Sequence, residues 1–359
     1  MSKCILFGDA HIHRHKKSTE RLFHCLNVLD WIFQTAIERN IKNIVCLGDL
    51  FHDREKIEII TYHETFKLLE KYMRNSDLKF YIVIGNHDMW YANKHDITSV
   101  TPLASIKGVT VIDKVDVIDI DGFPVGVFPY TNDPAAEIEK IPHTNDYNVL
   151  LGHAAVDGAV WNTMYQTFSE VVIEHDGEMV KMDAGIFKGW NQVFLGHYHG
   201  EQRLGPEGNI EYVGSPLQLS FGEAFEKKHI VIYDLKTHEK EYVENTFSPK
   251  HYVLRADEIK KYNIEGQFVK VVMDTGAADA IDVQNEIAKL NPASLDFKKI
   301  DKKDDDNLVE DAKAIIFNQS EMLEKWIEAV SVDTIQGLDK NYLLSLGKEI
   351  CGMASAKVG

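Results

Sequence analysis

Five short segments of this chain repeat one grammar. They are Ile5-Leu6-Phe7-Gly8-Asp9-Ala10-His11, Ile44-Val45-Cys46-Leu47-Gly48-Asp49, Ile82-Val83-Ile84-Gly85-Asn86-His87-Asp88, Val149-Leu150-Leu151-Gly152-His153 and Val193-Phe194-Leu195-Gly196-His197-Tyr198-His199. Each is an apolar run, a glycine, and then Asp, Asn or His. Carboxylate, amide and imidazole groups are metal ligands, and without cysteine the mixture suits Mn²⁺, Fe²⁺ or Zn²⁺ better than Ca²⁺. Asp9 and His11 are two residues apart, as are His197 and His199, so in extended chain each pair projects to one side. Together the segments offer more ligands than one ion needs. Shared between two ions by a bridging Asp, they make a binuclear centre, which activates water and stabilises charge on a phosphoryl group during in-line attack. Alone, an Asp-x-His is an ordinary surface pair and a Gly-Asn-His-Asp an ordinary turn. Their joint occurrence, each after an apolar strand, is what chance does not supply.

Such residues need elements that bring them to one place. Residues 3–7, 43–47 and 80–84 read as buried strands. Between them, 19–40 and 61–74 read as helices, the first with Leu22, Leu26, Leu29, Phe33 and Ile37 on one face and Ser18 or Thr19 as N-cap. Strand, helix, strand, helix, strand is the pattern of a parallel sheet. Sites in open α/β sheets form outside the carboxyl ends of the strands, where these ligands stand. From Val109 the texture changes to short strands at 109–112, 115–120 and 125–128, with turns between them. Further strands are expected at 148–151, 192–195, 210–213 and 229–233. The fold class is α/β, with two mixed β-sheets packed as a sandwich and flanked by helices.

The expected organisation is a first domain over 1–248, punctuated by Ser248-Pro249, and a small α/β unit over 249–300. In that unit 268–273 reads as a strand and 279–290 as a helix. An acidic linker spans 301–310 and a helical tail 311–359. In the tail Ile316, Leu323, Ile327 and Val330 share one face, and Leu338, Tyr342, Leu346 and Ile350 form a second apolar set.

A chain of 359 residues buries a large core without disulfides. A net charge of −17 argues against binding nucleic acid by bulk charge, but leaves room for a local basic groove. Cys4, Cys25, Cys46 and Cys351 form no CxxC pair and read as buried thiols in a reducing compartment. The first apolar run is too short for a signal peptide, and no run approaches the ~18 residues of a membrane span. The expectation is a cytoplasmic protein without membrane attachment.

The ordered set of motifs from residue 9 to 199 resembles the calcineurin-like metallophosphoesterase superfamily. Within it, Gly48-Asp49-Leu50-Phe51-His52 is similar to the DNA-repair nuclease branch, which includes the bacterial SbcD nuclease, the meiotic recombination eleven nuclease and counterparts in large tailed bacteriophages. The protein-phosphatase branch usually has Asp where His52 stands. The stretch through Trp90, Tyr91 and Asn93 to Val111 and Phe128-Pro129 looks most like the phage members, and Tyr212-Val213-Gly214-Ser215-Pro216 resembles a segment that follows the last motif.

The resemblance implies that Asp9, His11, Asp49 and His199 hold one metal, and that Asp49, Asn86, His153 and His197 hold the other. His87 would be the non-ligand histidine that donates to the transition-state phosphate or the leaving oxygen, and His52 would position it or the substrate. Two divalent ions are implied, Mn²⁺ first, with Mg²⁺, Fe²⁺ or Zn²⁺ as alternatives. The implied activity is exonuclease and endonuclease cleavage of DNA in recombination and repair. The implied partners are DNA, a coiled-coil ATPase of the structural-maintenance-of-chromosomes type (SbcC type) and a second copy of the chain. The helical tail would dock on the ATPase, in the host cytoplasm for a phage-encoded chain, and 249–300 would be a cap beside the site. Arg14, Lys16 and Lys17 are candidate phosphate contacts, and Trp90 and Tyr91 candidate base-stacking residues. His13 and His15 read as polar loop residues, with extra metal ligation as the alternative. The competing functions are a protein phosphatase or small-nucleotide phosphodiesterase of the same superfamily, and a non-catalytic scaffold.

Overall fold

The structure is a computed structural model that describes residues 2–92, 94–141, 149–160, 181–205, 208–273 and 285–299. The expected linker and helical tail, Cys351 and Asn93 lie outside the described residues, as does the first part of the helix expected at 279–290. Met1–Ile300 form one compact unit. Among the described residues no helix is long and apolar enough to cross a membrane.

Two six-stranded sheets form the body of this unit. The first runs, edge to edge, through Lys240–Glu244, His229–Asp234, Lys3–Phe7, Asn43–Cys46, Lys79–Val83 and Val109–Ile112. Its last four strands are parallel and its first two antiparallel. The second runs through Gln202–Leu204, Ile210–Tyr212, Gln192–Gly196, Val149–His153, Phe123–Phe128 and Asp116–Ile120. Here four central strands are parallel and both edges antiparallel. Both sheets are therefore mixed, as the change of texture after Val109 implies.

Alternation along the strands explains the layering. Cys4 and Leu6 face the second sheet and pack with Val45, Val83, Val127, Leu151 and Phe194. Ile5 and Phe7 face the other way, onto Leu22, Leu29, Ile32 and Phe33 of helix Thr19–Glu38. That helix begins where expected, with the Ser18 hydroxyl accepting the Arg21 N–H at 3.3 Å. Helix Ile59–Met73 covers the same face. The outer face of the second sheet packs Leu150, Val193 and Leu195 against Phe187 and Trp190. Strands buried on both sides have no polar alternation, which is why they read as plain apolar runs.

A separate three-stranded parallel sheet, His251–Arg255, Phe268–Met273 and Ser294–Lys299, has its own small core around Leu254, Ile264, Val269 and Val271. Arg21 fastens it to the main body. Its guanidinium donates to the Leu219 carbonyl at 2.8 Å and to His251 Nε2 at 3.0 Å, and lies 4.3 Å from the Phe268 ring centre. A hairpin that the sequence pattern did not reveal, Met89–Tyr91 with Lys94–Thr98, rises directly after the third motif.

Candidate metal centre

All five motifs lie at one end of the sandwich. Asp9, His11, Asp49 and Asn86 follow strands of the first sheet, and His153, His197 and His199 end or follow strands of the second. The loops continue the pairing of their strands, since Asp9 N–H donates to the Gly48 carbonyl and His11 N–H to the Asp49 carbonyl, each at 3.0 Å. Asp9, His11, Asp49 and His197 all have positive φ, at 53°, 41°, 53° and 111°. Residues with side chains seldom hold that conformation unless the surroundings impose it, and such strain gathers at functional sites. Two glycines are required by contact. A Cβ on Gly85 would lie 2.1 Å from Asp49 Oδ1, and one on Gly48, at φ +99°, 2.2 Å from His153 Nδ1.

The donor atoms converge as two sets. In one, His153 Nε2 is 2.9 Å from Asn86 Oδ1, 3.3 Å from His197 Nδ1 and 3.4 Å from Asp49 Oδ2. In the other, His11 Nε2 is 3.1 Å from His199 Nε2 and 3.7 Å from Asp49 Oδ2. Asp9, His11 and His199 each bring a ligand atom within 4.8 Å of the others. Asp49 Oδ2 thus reaches both sets, and Asp9 is turned by the His197 N–H, which donates to its two carboxylate oxygens at 2.9 and 3.1 Å.

Whether these atoms fit cations can be tested on their protons. His153 Nδ1 donates to the Leu47 carbonyl at 2.7 Å. Its Nε2 therefore carries a lone pair when the ring is neutral, aimed at an amide oxygen and a carboxylate. His199 Nδ1 donates to Glu223 Oε1 at 3.0 Å, so its Nε2 lone pair faces His11 Nε2. Lone pairs meeting at two buried foci repel unless a cation or a proton lies between them. The residues fit a pair of divalent ions.

The charges agree with this. Burial pushes Asp9 up to about 6, against the pull of His153. Burial also opposes ionisation of Asp49, but His153 and His87 hold it well below the usual carboxylate range. Burial would lower His153, yet Asp49 carries it up to about 9. A proton on His153 balances the Asp49 charge as a cation would. Burial, then His153, brings His197 down to about 3, and burial with His87 and His199 keeps His11 well below its ordinary value.

His87 and His52 adjoin the pair. Asp49 Oδ1 accepts the His87 backbone N–H at 2.8 Å, and His87 Nδ1 donates to the His52 carbonyl at 2.7 Å. The His87 and His11 ring centres are 4.8 Å apart. His52 Nδ1 is 3.3 Å from His11 Nδ1, and burial, then His87, lowers His52 to about 4.

Two buried carboxylates have roles that the motifs alone do not reveal. Asp88 stands in the third motif, next to His87. Its Oδ2 accepts the Asp49 N–H at 2.9 Å and the Gly85 N–H at 3.0 Å, binding two motif loops together. Burial, then Asp49, pushes it up to about 7. Glu223 backs His199 and is itself paired with the buried ammonium of Lys228 at 2.7 Å and the Ser215 hydroxyl at 3.0 Å. Burial opposes its charge, but Lys228 and His199 hold the carboxyl far below its ordinary range. A carboxylate behind a metal-binding imidazole fixes tautomer and ring angle. The available signal was its nearness in sequence to Tyr212-Val213-Gly214-Ser215-Pro216.

Of the candidate DNA contacts, Trp90 and Tyr91 are exposed, at 48 % and 43 % of their surface, on the hairpin after His87. Arg14 is occupied by Glu58 at 3.3 Å and the Lys17 carbonyl at 2.7 Å, and Lys16 by Asp296 of the small sheet at 3.0 Å. Lys17 lies exposed on the same turn.

The family model described as calcineurin-like phosphoesterase matches residues 2–201. The chain is 24% identical over 310 residues to Exonuclease subunit 1 of Enterobacteria phage T4, covering 82% of this chain and 84% of that one. It is 21% identical over 281 residues to a subunit of the nuclease SbcCD of Escherichia coli strain K12, covering 67% of each. A shorter stretch of 89 residues is 29% identical to the DNA double-strand break repair protein Mre11 of Halobacterium salinarum, covering 24% of this chain and 22% of that one.

Proposed function

Because the chain belongs to the calcineurin-like phosphoesterase family, we propose that it is a two-metal-ion DNA nuclease, acting as the nuclease subunit of a recombination and repair complex. The observation that carries this reading is the double reach of Asp49 Oδ2, 3.4 Å from His153 Nε2 and 3.7 Å from His11 Nε2, among buried donors drawn from both sheets. In this reading Asp9, His11, Asp49 and His199 hold one ion, and Asp49, Asn86, His153 and His197 the other. Two divalent ions held there, manganese first, would supply a nucleophile at neutral pH and stabilise charge on the phosphoryl oxygens.

The chain's own groups do the rest. His199 and His153 keep their protons on Nδ1, toward Glu223 and Leu47, and so present Nε2 as ligands. His87 donates a hydrogen bond from Nδ1–H to the His52 carbonyl. A second proton, on its Nε2, can then hydrogen-bond a phosphate oxygen or pass to the leaving oxygen. His52 acts through this contact as a positioning residue. Trp90 and Tyr91 offer rings to bases near the scissile phosphate. Arg14 and Lys16 contact the backbone once phosphate competes with their present partners, and Lys17 contacts it from the same exposed turn.

Support for DNA as substrate comes from the named relatives, which are an exonuclease subunit, a nuclease subunit and a break-repair protein. Two of them are named as subunits. We extend this to a coiled-coil ATPase of the structural-maintenance-of-chromosomes type as partner, with residues 311–359 as the docking segment and a homodimer as the working form.

The test is cleavage of end-labelled linear DNA with Mn²⁺ by the wild type, Asp49→Asn and His87→Ala, beside a small aryl phosphate diester. Cleavage of DNA that vanishes in both variants supports the reading. Cleavage of the small ester alone, even with the cognate ATPase and ATP, would overturn it and leave a small-molecule phosphodiesterase.

A further inference from the structure

A second group of imidazoles lies beside this centre. The first motif continues as His11-Ile12-His13-Arg14-His15, and its last two histidines meet His52 in the fold. One nitrogen from each of His13, His15 and His52 lies within 4.8 Å of the others. Their ring centres are 5.1 to 5.3 Å apart. Clustered rings alone prove little, so what matters is the other nitrogen of each ring. His13 Nε2 meets Asp53 Oδ2 at 3.1 Å, and its Nδ1 is buried with no hydrogen-bond partner. His15 Nε2 donates to the His11 carbonyl at 3.0 Å, which leaves its Nδ1 with a lone pair. An imidazole whose rear nitrogen is held by a carboxylate or carbonyl, and whose front nitrogen has no proton, is set as a metal ligand.

We propose that His13, His15 and His52 bind a third divalent cation, of the zinc class, next to the binuclear centre, with Asp53 behind His13 and water completing the coordination. Three imidazoles are a softer donor set than the neighbouring mixture of carboxylate, amide and imidazole, and Zn²⁺ accepts such a set in tetrahedral geometry. His52 joins at a cost. Its Nδ1 now meets His11 Nδ1 at 3.3 Å, a long contact for a hydrogen bond. Ligation through Nε2 puts the His52 ring proton on Nδ1, where it faces the proton that His11 keeps on its own Nδ1 when its Nε2 is a ligand, and so ends that contact. The third ion therefore binds more weakly than the pair and fills last.

An ion here has something to act on. The His52 carbonyl holds His87, and the turn after His15 carries Lys16, paired with Asp296 of the small sheet. Occupancy would stiffen the strip between the non-ligand histidine and the small sheet. The inference requires no DNA and no particular reaction.

The experiment counts ions on the full chain, stripped with chelator and dialysed against rising free Zn²⁺, by mass spectrometry of metal content. The wild type is expected to take three per chain, and the double variant His13→Ala/His15→Ala two, losing the last to fill. Asp49→Asn, which disrupts the pair, should still lose one ion when His13 and His15 are also replaced. An equal count in wild type and double variant overturns the proposal, whatever the total. A difference of one ion with the pair itself empty would leave this site standing and sink the binuclear reading. Should the double variant misfold, anomalous scattering at the zinc edge from wild-type crystals decides, by a peak or its absence between the three rings.

Discussion

Oδ1 of Asp49 accepts the backbone N–H of His87 at 2.8 Å, while Oδ2 of the same carboxylate reaches His11 and His153. One side chain thus reaches both donor sets and places His87. Asp49→Asn keeps an acceptor for His87 but loses the charge. We expect metal content to fall for both ions and cleavage to fall further than the ~10–100-fold of an outer-shell change. His87→Ala should retain both ions and lose about 10²–10⁴-fold in turnover. Metal analysis beside turnover of each variant checks the split.

Glu223 touches no expected substrate. It holds His199 and balances the buried Lys228. Glu223→Gln should weaken metal binding by roughly 10–100-fold. Either neutral replacement leaves the buried Lys228 ammonium with Glu226 as its remaining carboxylate partner, so Glu223→Gln and Glu223→Ala should each also cost about 3–5 kcal/mol of stability. Metal titration and thermal unfolding of both variants separate positioning from stability, since Glu223→Gln keeps an acceptor oxygen for His199 Nδ1 and should bind metal more tightly than Glu223→Ala at a similar loss of Tm.

His251 makes the join between the small sheet and the main body sensitive to pH. Burial, then Arg21, brings it down to about 3. A folded value below the unfolded one means the neutral ring favours the fold. That contribution is complete above about 6.5. It is lost progressively as pH falls toward 3, because the unfolded chain binds the proton first. Wild-type stability should drop by about 1 kcal/mol per pH unit below 6 from this group. His251→Gln should flatten that part of the curve. Urea unfolding at pH 7, 6 and 5 for both proteins tests it, and identical slopes would remove His251 as the cause.

Gly85→Ala should act on the metals before the fold. Its Cβ would collide with Asp49 Oδ1 at 2.1 Å. The expected result is loss of bound metal with circular dichroism near that of the wild type. A variant that keeps full metal content would show that the loop yields easily.

The convergence of the Asp, Asn and His residues was legible because each motif is local, a buried strand that runs straight into them. Glu223 was not, because no periodicity links it to His199, 24 residues earlier, and only the folded loop brings them together. His13 and His15 looked like loop polarity because their third neighbour, His52, is distant in sequence. Strand Lys240–Glu244 is a half-buried edge with charged residues on either side of the adjacent Tyr242 and Val243, so its pattern is weak. The hairpin after His87 carries exposed aromatic residues that no buried face explains. The long apolar-periodic helices were read to within two residues, 19–40 against Thr19–Glu38 and 61–74 against Ile59–Met73.

The proposed centre draws Asp9, His11, Asp49 and Asn86 from one sheet and His153, His197 and His199 from the other. Bound ions would then act as a rivet through the two plies of the sandwich. Chelation would be a mechanical event as well as a chemical one, springing the plies apart at this end while the greasy middle around Leu6, Val45, Leu151 and Phe194 keeps them together. Amides flanking the five motifs should become the quickest to exchange with solvent, and the protein's resistance to proteases would then track the metal supply around it.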